Sequence, residues 1–268
     1  MVIKEESSLY WNGADMGEII TLNNEGKVTC LNLGGKMMRL KTLGSFLLHC
    51  GNTCRVMNLG GTDIFLSEWK RAVQEATAKE VNLVLEKLHM GGNGIGGSGQ
   101  DVLNLMETIP FFKEMCVLDL RYNDLTPDHI SKVADFVICN PKCSIQVLYL
   151  EGNNIQCRGC QAIGDLLRHS TSLIELYLGA NRIGVEGARA LALGLNKNAI
   201  LRKLYLEGNM IGAEGADSFR TVLEEQSSKN CKVLQHLYVD NNGIGKVNSE
   251  RLALALNSGT VISGSFFE

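Results

Sequence analysis

The chain predicts an α/β fold: a right-handed, curved solenoid (a horseshoe) of about eight strand–helix copies, with a parallel sheet inside and helices outside. Three observations predict it. LIELYLGANRIGVEGARALALGLNKNA, Leu173 to Ala199, and LRKLYLEGNMIGAEGADSFRTVL, Leu201 to Leu223, agree position for position at a spacing of 28. Weaker copies extend toward both ends of the chain. Within each copy the apolar pattern changes from alternation to a helical period. Self-similarity at a fixed period of 20 to 30 residues is the signature of stacked coils, each burying its neighbour's apolar face.

Taking the first leucine of each central L-x-L as position zero gives Leu31, Met57, Leu88, Leu118, Leu148, Leu176, Leu204 and Leu237. Gly264 opens a degenerate last copy, and the steps run from 26 to 33 residues. Position two is apolar throughout, from Leu33 to Val239. Position five is Asn93, Asn123, Asn153, Asn181, Asn209 and Asn242, with Lys36 and Thr62 in the first two copies. Position seven is Met38, Ile64, Ile95, Leu125, Ile155, Ile183, Ile211 and Ile244.

The L-Y-L core alternates as a half-buried strand does. After Asn-x-Ile-Gly the spacing turns helical, as in Ala188, Leu191, Ala192 and Leu195, or Ala216, Phe219 and Leu223. Glu186 and Glu214 fall in the first helical turn, opposing the positive end of the dipole. Asn196 and Asn198, either side of Lys197, are suited to end a helix. One helix per strand makes the strands parallel. Strands about 4.8 Å apart, against helices about 10 Å across, force the stack to curve with the helices outside. The recurring Asn is expected to be buried, its carboxamide pairing backbone groups left over where the chain leaves the strand.

The string L-x-x-L-x-L-x-x-N-x-I-G-x-x-G-A-x-x-L-A, Leu173 to Ala192, closely resembles the ribonuclease-inhibitor class of leucine-rich repeats. That class includes the repeat regions of NOD-like receptors and the Ran GTPase-activating protein. The resemblance covers residues 28 to 266 and implies the solenoid. It does not transfer a partner, because members bind unrelated proteins on one scaffold.

One domain, 1–268, is expected, with an N-terminal cap (1–27), repeats (28–260) and a degenerate last strand as C-terminal cap (261–268). Leu9, Tyr10, Trp11, Ile19, Ile20 and Leu22 would cover the first coil's core edge. Trp11 and Trp69 read as core. Phe266 takes a core slot, and Phe267 should project, which would suit a subunit of a larger assembly. The net charge of −3 gives no reason to expect nucleic acid or an acidic membrane. No apolar run reaches the ~18 residues of a spanning helix, and MVIKEESSLYW has no hydrophobic signal core. Nine cysteines without paired rhythm predict free thiols in a reducing compartment, the cytoplasm or nucleus.

Cys139, Cys143, Cys157 and Cys160 have zinc-like spacing. The repeat register nevertheless puts the pairs on opposite sides of a strand of about five residues, ~17 Å long, and places Cys139 and Cys160 in apolar slots. No metal is therefore expected. Gly92-Asn-Gly94-Ile-Gly-Gly97 matches G-x-G-x-x-G but overlies the turn every later copy makes, so a loosened turn is expected rather than a cofactor site. His49, His89, His129, His169 and His236 are scattered, with His129 and His169 expected on solvated helix surface. No nucleophile or carboxylate pair accompanies them, so no catalysis, cofactor or small-molecule substrate is expected.

Positions minus one and plus one of each strand should project from the inner wall. The plus-one column reads Asn32, Asn58, His89, Asp119, Tyr149, Tyr177, Tyr205, Tyr238 and Ser265. Four successive tyrosines thus form a ladder. Position plus three adds Arg121, Glu151, Glu207 and Asp240, and position minus one adds Glu175, Lys203 and His236. Tyrosine anchors interfaces through a large ring and a free hydroxyl. Aromatic neighbours on adjacent strands also stabilise one another, so the column could equally be scaffold carried along by repeat copying. The acidic flank favours a partner whose Lys or Arg would sit over a Tyr face. The expected function is a non-catalytic scaffold that grips a protein on this concave Tyr and acidic face. The alternative is a regulator of another enzyme, an inhibitor or a small-GTPase activator, although the acidic tail of the Ran relative is absent.

Overall fold

Each L-x-L core forms a short strand in the computed structural model, which describes residues 20–35, 40–140, 144–229 and 233–256. Contacts divide the chain into two compact units, 1–120 with 142–144, and 121–141 with 145–268. The first holds β1 (Ile20–Leu22), β2 (Val28–Asn32), α1 (Leu40–Cys50), β3 (Val56–Asn58), α2 (Leu66–Ala78), β4 (Lys87–His89), α3 (Gly99–Met106) and β5 (Val117–Asp119). The second holds α4 (Pro127–Cys139), β6 (Val147–Tyr149), α5 (Gln156–His169), β7 (Glu175–Tyr177), α6 (Gly184–Leu195), β8 (Lys203–Tyr205), α7 (Gly212–Ser228), β9 (His236–Tyr238) and α8 (Lys246–Leu256).

In the first unit β2, β3, β4 and β5 pair in parallel, with Leu31, Met57, Leu88 and Leu118 in register. In the second, β6 to β9 do the same through Leu148, Leu176, Leu204 and Leu237. Position zero is the core: Leu31 is 5% exposed and the seven others 1% or less. Beyond β2 the strands span three residues rather than the five expected, because the chain turns away at position two to reach the Asn. Residues 20–22 of the expected cap run antiparallel to β2, Ile20 beside Leu31, closed by a turn in which Asn23 Oδ1 accepts from the Glu25 and Lys27 amides. Leu9, Tyr10, Trp11, Ile19, Lys36, Met38, Cys143 and the expected last strand with Phe266 and Phe267 lie outside the described residues.

Trp69 is fully buried, stacked at 5.9 Å on Phe112, with Nε1 donating to Thr108 Oγ1 at 2.9 Å. The extra glycines form a 3-10 turn, Ile95–Gly97, after which Ser98 caps α3 by accepting from the Gln100 amide. Three details differ from expectation. Ile64 is half-buried although the later position-seven residues are buried. His129 is only 9% exposed, since its Nδ1 accepts from the Thr126 amide at 3.2 Å and closes the first turn of α4. Cys139 is exposed, because the buried stripe of α4 runs through Ile130, Val133, Ala134 and Val137, and a residue two further on lies about 200° around the helix. Cys160 is buried as its small-residue slot requires, and burial pushes its thiol up to about 12.

The asparagines join one copy to the next. Asn209 Nδ2 donates to Leu206 O in its own turn and to Leu178 O in the preceding one, both at 2.8 Å, while Oδ1 accepts from the Asn181 amide at 2.7 Å. Asn181 repeats this with Leu178 O, Leu150 O and the Asn153 amide, and Asn242 with Val239 O, Leu206 O and the Asn209 amide. In the first unit Asn93 bonds Met90 O, Leu59 O and the Thr62 amide. The turn around each Asn takes left-handed φ at position four in every described copy: Gly35, Gly61, Gly92, Gly152 and Gly208, but also Tyr122, Ala180 and Asn241.

Helices stack through small residues. A Cβ at Gly194 would lie 2.3 Å from Gly164 O, so α5 and α6 approach backbone to backbone. Asn181→Ala leaves the Asn153 amide buried without its acceptor, while Leu178 O and Leu150 O keep the carboxamide donors of Asn209 and Asn153. We expect it to lower unfolding free energy by about 1–3 kcal/mol, the cost of one buried unpaired amide, measured as a fall in the urea midpoint.

Candidate protein-binding face

Side chains at minus one, plus one and plus three of β6 to β9 stand on the sheet face opposite the buried position-zero leucines, which is where the strand alternation puts them. The plus-one tyrosines form a continuous stack. Ring centroids lie 4.3 Å apart for Tyr149–Tyr177, 4.0 Å for Tyr177–Tyr205 and 4.3 Å for Tyr205–Tyr238, with interplanar angles of 26°, 8° and 5°. Each contact contributes about 0.5–1.5 kcal/mol beyond simple burial. All four rings are half-buried.

This packing changes what the ladder can offer. The ring faces between Tyr149 and Tyr238 are occupied by one another, and the outer face of Tyr149 carries the chain's own Arg121, whose guanidinium carbon lies 4.9 Å from the ring centre. What the stack exposes is ring edges and hydroxyls, not the open faces that the sequence suggests. Tyr177 Oη donates to Glu175 Oε2 at 2.9 Å, and Lys203 Nζ bridges to Glu175 Oε1 at 2.8 Å. Burial would raise the Glu175 carboxyl, but the bonds from Lys203 and Tyr177 hold it below its ordinary value. Burial, aided by the bonds to Tyr205 and Glu175, pushes the Tyr177 phenol up. The minus-one column is therefore largely self-neutralised. His236 lies nearly parallel to Tyr238 at 6.2 Å.

The plus-three column differs. Glu151 and Glu207 flank Gly179, where a Cβ would sit 3.6 Å from Glu151 Cγ and 3.6 Å from Glu207 Oε2. Glu207 and Asp240 occupy matching positions on adjacent strands, since Leu204 pairs with Leu237. Burial, reinforced by the Asp240 charge, pushes the Glu207 carboxyl above its ordinary value of 4.5. Lys and Arg bridges form elsewhere among the described residues, but none is made to Glu207.

Asp119, expected to project, is only 3% exposed and belongs to the first unit, where His89 Nδ1 lies 3.2 Å from its Oδ2. The cause is the neighbouring strand: β4 and β5 pair His89 with Asp119, and the imidazole covers the carboxylate. Two members of the face escaped the sequence reading. Gly179 leaves a gap in the plus-three column. Tyr122, at position four, is 65% exposed and holds a left-handed φ of 53°. The signal for Tyr122 lies in the alignment of copies, since five others have Gly there.

A family model described as Leucine Rich repeat matches residues 81–100, 169–192 and 197–219. The solved structure of the leucine-rich repeat-containing protein LegL7 from Legionella pneumophila is similar at 19% identity and a TM-score of 0.55, over 81% of this chain and 67% of that one. Actin-Binding Site 2 of Leiomodin-1 aligns at 18% identity over 62% of this chain and 94% of that one, with a TM-score of 0.43, too low to relate the two folds. No curated protein matches. Three stretches of the chain thus match leucine-rich repeats, and the fold is α/β, built of strand–helix copies. Among the described residues, no helix is long and apolar enough to cross a membrane, and no three His, Cys, Asp or Glu are grouped to hold a metal ion.

Because the folded protein holds its proton on Glu207 more tightly than the unfolded chain does, this site's contribution to stability is complete below the ordinary value of 4.5 and is lost as pH rises through the folded value. Glu207→Gln is therefore expected to raise stability at pH 7 by about 0.2–1 kcal/mol, the usual scale for relieving opposed like charges. Urea melts at several pH values check this: the gain should vanish in acid, where wild-type Glu207 is already neutral.

Proposed function

We propose that this chain is a non-catalytic protein-interaction scaffold whose partner docks on the outward face of β6 to β9 and brings Lys or Arg side chains to the plus-three carboxylates. The observation that carries the reading is Glu207. Its carboxylate is half-buried, sits beside Asp240 and disfavours folding at neutral pH, while the described residues supply no ion-pair partner for it. Charge kept where it lowers stability is characteristic of a binding surface. The stacked tyrosines support the same reading. They present a rigid row of edges and hydroxyls already ordered before any partner arrives, which lowers the entropy cost of docking.

The ribonuclease-inhibitor-like subtype is part of the proposal, supported by one α-helix after each of β2 to β9. So is a cytoplasmic setting, supported by the seven described cysteines, all free thiols. Charge reversal tests the docking face. Glu207→Lys with Asp240→Lys should cut recovery of cross-linked partners from lysate at least about tenfold, the scale of losing one or two close charge pairs. Glu224→Lys, on α7, should leave recovery unchanged. Equal recovery with all three proteins would contradict the reading.

A further inference from the structure

Tyr122 combines three properties that no other described tyrosine combines. Its backbone holds a left-handed φ of 53°, unfavourable for a bulky residue, at the position where Gly35, Gly61, Gly92, Gly152 and Gly208 stand in other copies. Its ring packs against Gly152, where an added Cβ would come within 2.2 Å of Cδ1 and 2.3 Å of Cε1. It is nevertheless 65% exposed. Glycine at position 152 thus makes the seat for the ring, and the Tyr122 amide is held by Glu151 O at 2.9 Å. Backbone strain kept to fix an exposed side chain in one place points to a use for that side chain.

The use follows from which aromatic faces are taken. The ladder rings cover one another, and the outer face of Tyr149 already carries Arg121 at 4.9 Å. Among the described residues no cation lies over Tyr122, whose side chain is largely exposed. Asp124, exposed two residues on, also holds a left-handed φ, of 55°, and forms no described ion pair. An exposed ring with an ion-pair-free carboxylate two residues along the chain suits a guanidinium, which can stack on an aromatic ring and hydrogen-bond to an acid.

We propose that Tyr122, seated on Gly152 and assisted by Asp124, is a preformed receptor for an arginine side chain of a partner protein. The inference deepens the protein-binding reading and rests on it only in taking the partner to be a protein.

The test measures fluorescence anisotropy of a labelled Ala/Arg peptide and of the same peptide with citrulline in place of arginine, against wild type and variants. Wild type should prefer the arginine peptide. Tyr122→Gly should lose about 2- to 30-fold in affinity for it, the range of a cation on an aromatic face. Tyr122→Phe should keep it within about twofold, since the face remains. A merely structural role predicts the reverse for stability. Glycine takes a left-handed φ freely, so Tyr122→Gly should melt at or above the wild-type temperature. Tyr122→Asn, which also tolerates that φ, repeats the test without a ring should the glycine variant fold poorly. Unchanged affinity in either folded variant, equal loss in Tyr122→Phe, or no arginine preference in wild type would overturn the proposal. Binding kept by Tyr122→Gly but lost by Glu207→Lys with Asp240→Lys would leave the acidic face standing without Tyr122. The converse pattern would leave Tyr122 standing without that face.

Discussion

A single carboxamide per copy sets the geometry on which everything else depends. Asn181, Asn209 and Asn242 each donate to a carbonyl of their own turn and to one of the turn before, and each accepts from the preceding Asn amide. The side chain has two donors and an acceptor, and all three are used. No other residue type of that size supplies both in a fixed plane. Aspartate lacks the donors, and leucine would leave the preceding Asn amide buried and unpaired, at a cost of about 1–3 kcal/mol. Because the bonds link copy to copy, they fix the offset between adjacent strands as well as the shape of each turn. Position-zero leucines then meet position-zero leucines, and plus-one tyrosines meet plus-one tyrosines.

The same offset determines what the outward face can do. Strands held in register place identical side chains closer together than their rings are wide, so the tyrosines stack and spend their faces on one another. What remains for a partner is the edge of the stack, the hydroxyls not tied to Glu175, and the carboxylates of the plus-three column. Across the columns of this face the chain neutralises some charges and not others. Glu175 is held by Lys203 and Tyr177, whereas Glu207 faces Asp240. The columns thus differ: minus one and plus one consolidate the sheet, and plus three holds opposed like charges at Glu207 and Asp240. That tension is why a partner's cation is the natural complement.

The sequence foretold most of the fold, because its copies report on one another. Eight repetitions of position zero and six asparagines at position five leave little freedom in register, and the buried leucines and asparagines lie where the alignment puts them. The column of tyrosines was legible for the same reason. Their mutual stacking was not, since periodicity gives the direction of a side chain but not whether its faces remain open. Asp119 illustrates a second blind spot: a polar residue in an outward column was read as exposed, yet His89 on the adjacent strand covers it. Cys139 and His129 miss for a local reason, a helix phase and a capping bond that composition does not encode. Tyr122 could have been seen as the bulky exception in a column of glycines, but its consequence needed the backbone angle and the seat on Gly152.

Amide hydrogen exchange of the native protein tests the inter-copy carboxamide bonds most directly. The amides of Asn153, Asn181 and Asn209 lie in irregular turns, where exchange is ordinarily fast, yet each donates to the next copy's carboxamide at 3.2, 2.7 and 2.8 Å. The account predicts that these three exchange as slowly as the strand amides of Leu176 and Leu204, only through cooperative opening of the unit. Exchange at the rate of neighbouring loop amides would show that the turns open independently, and that the asparagines do not hold the copies in register.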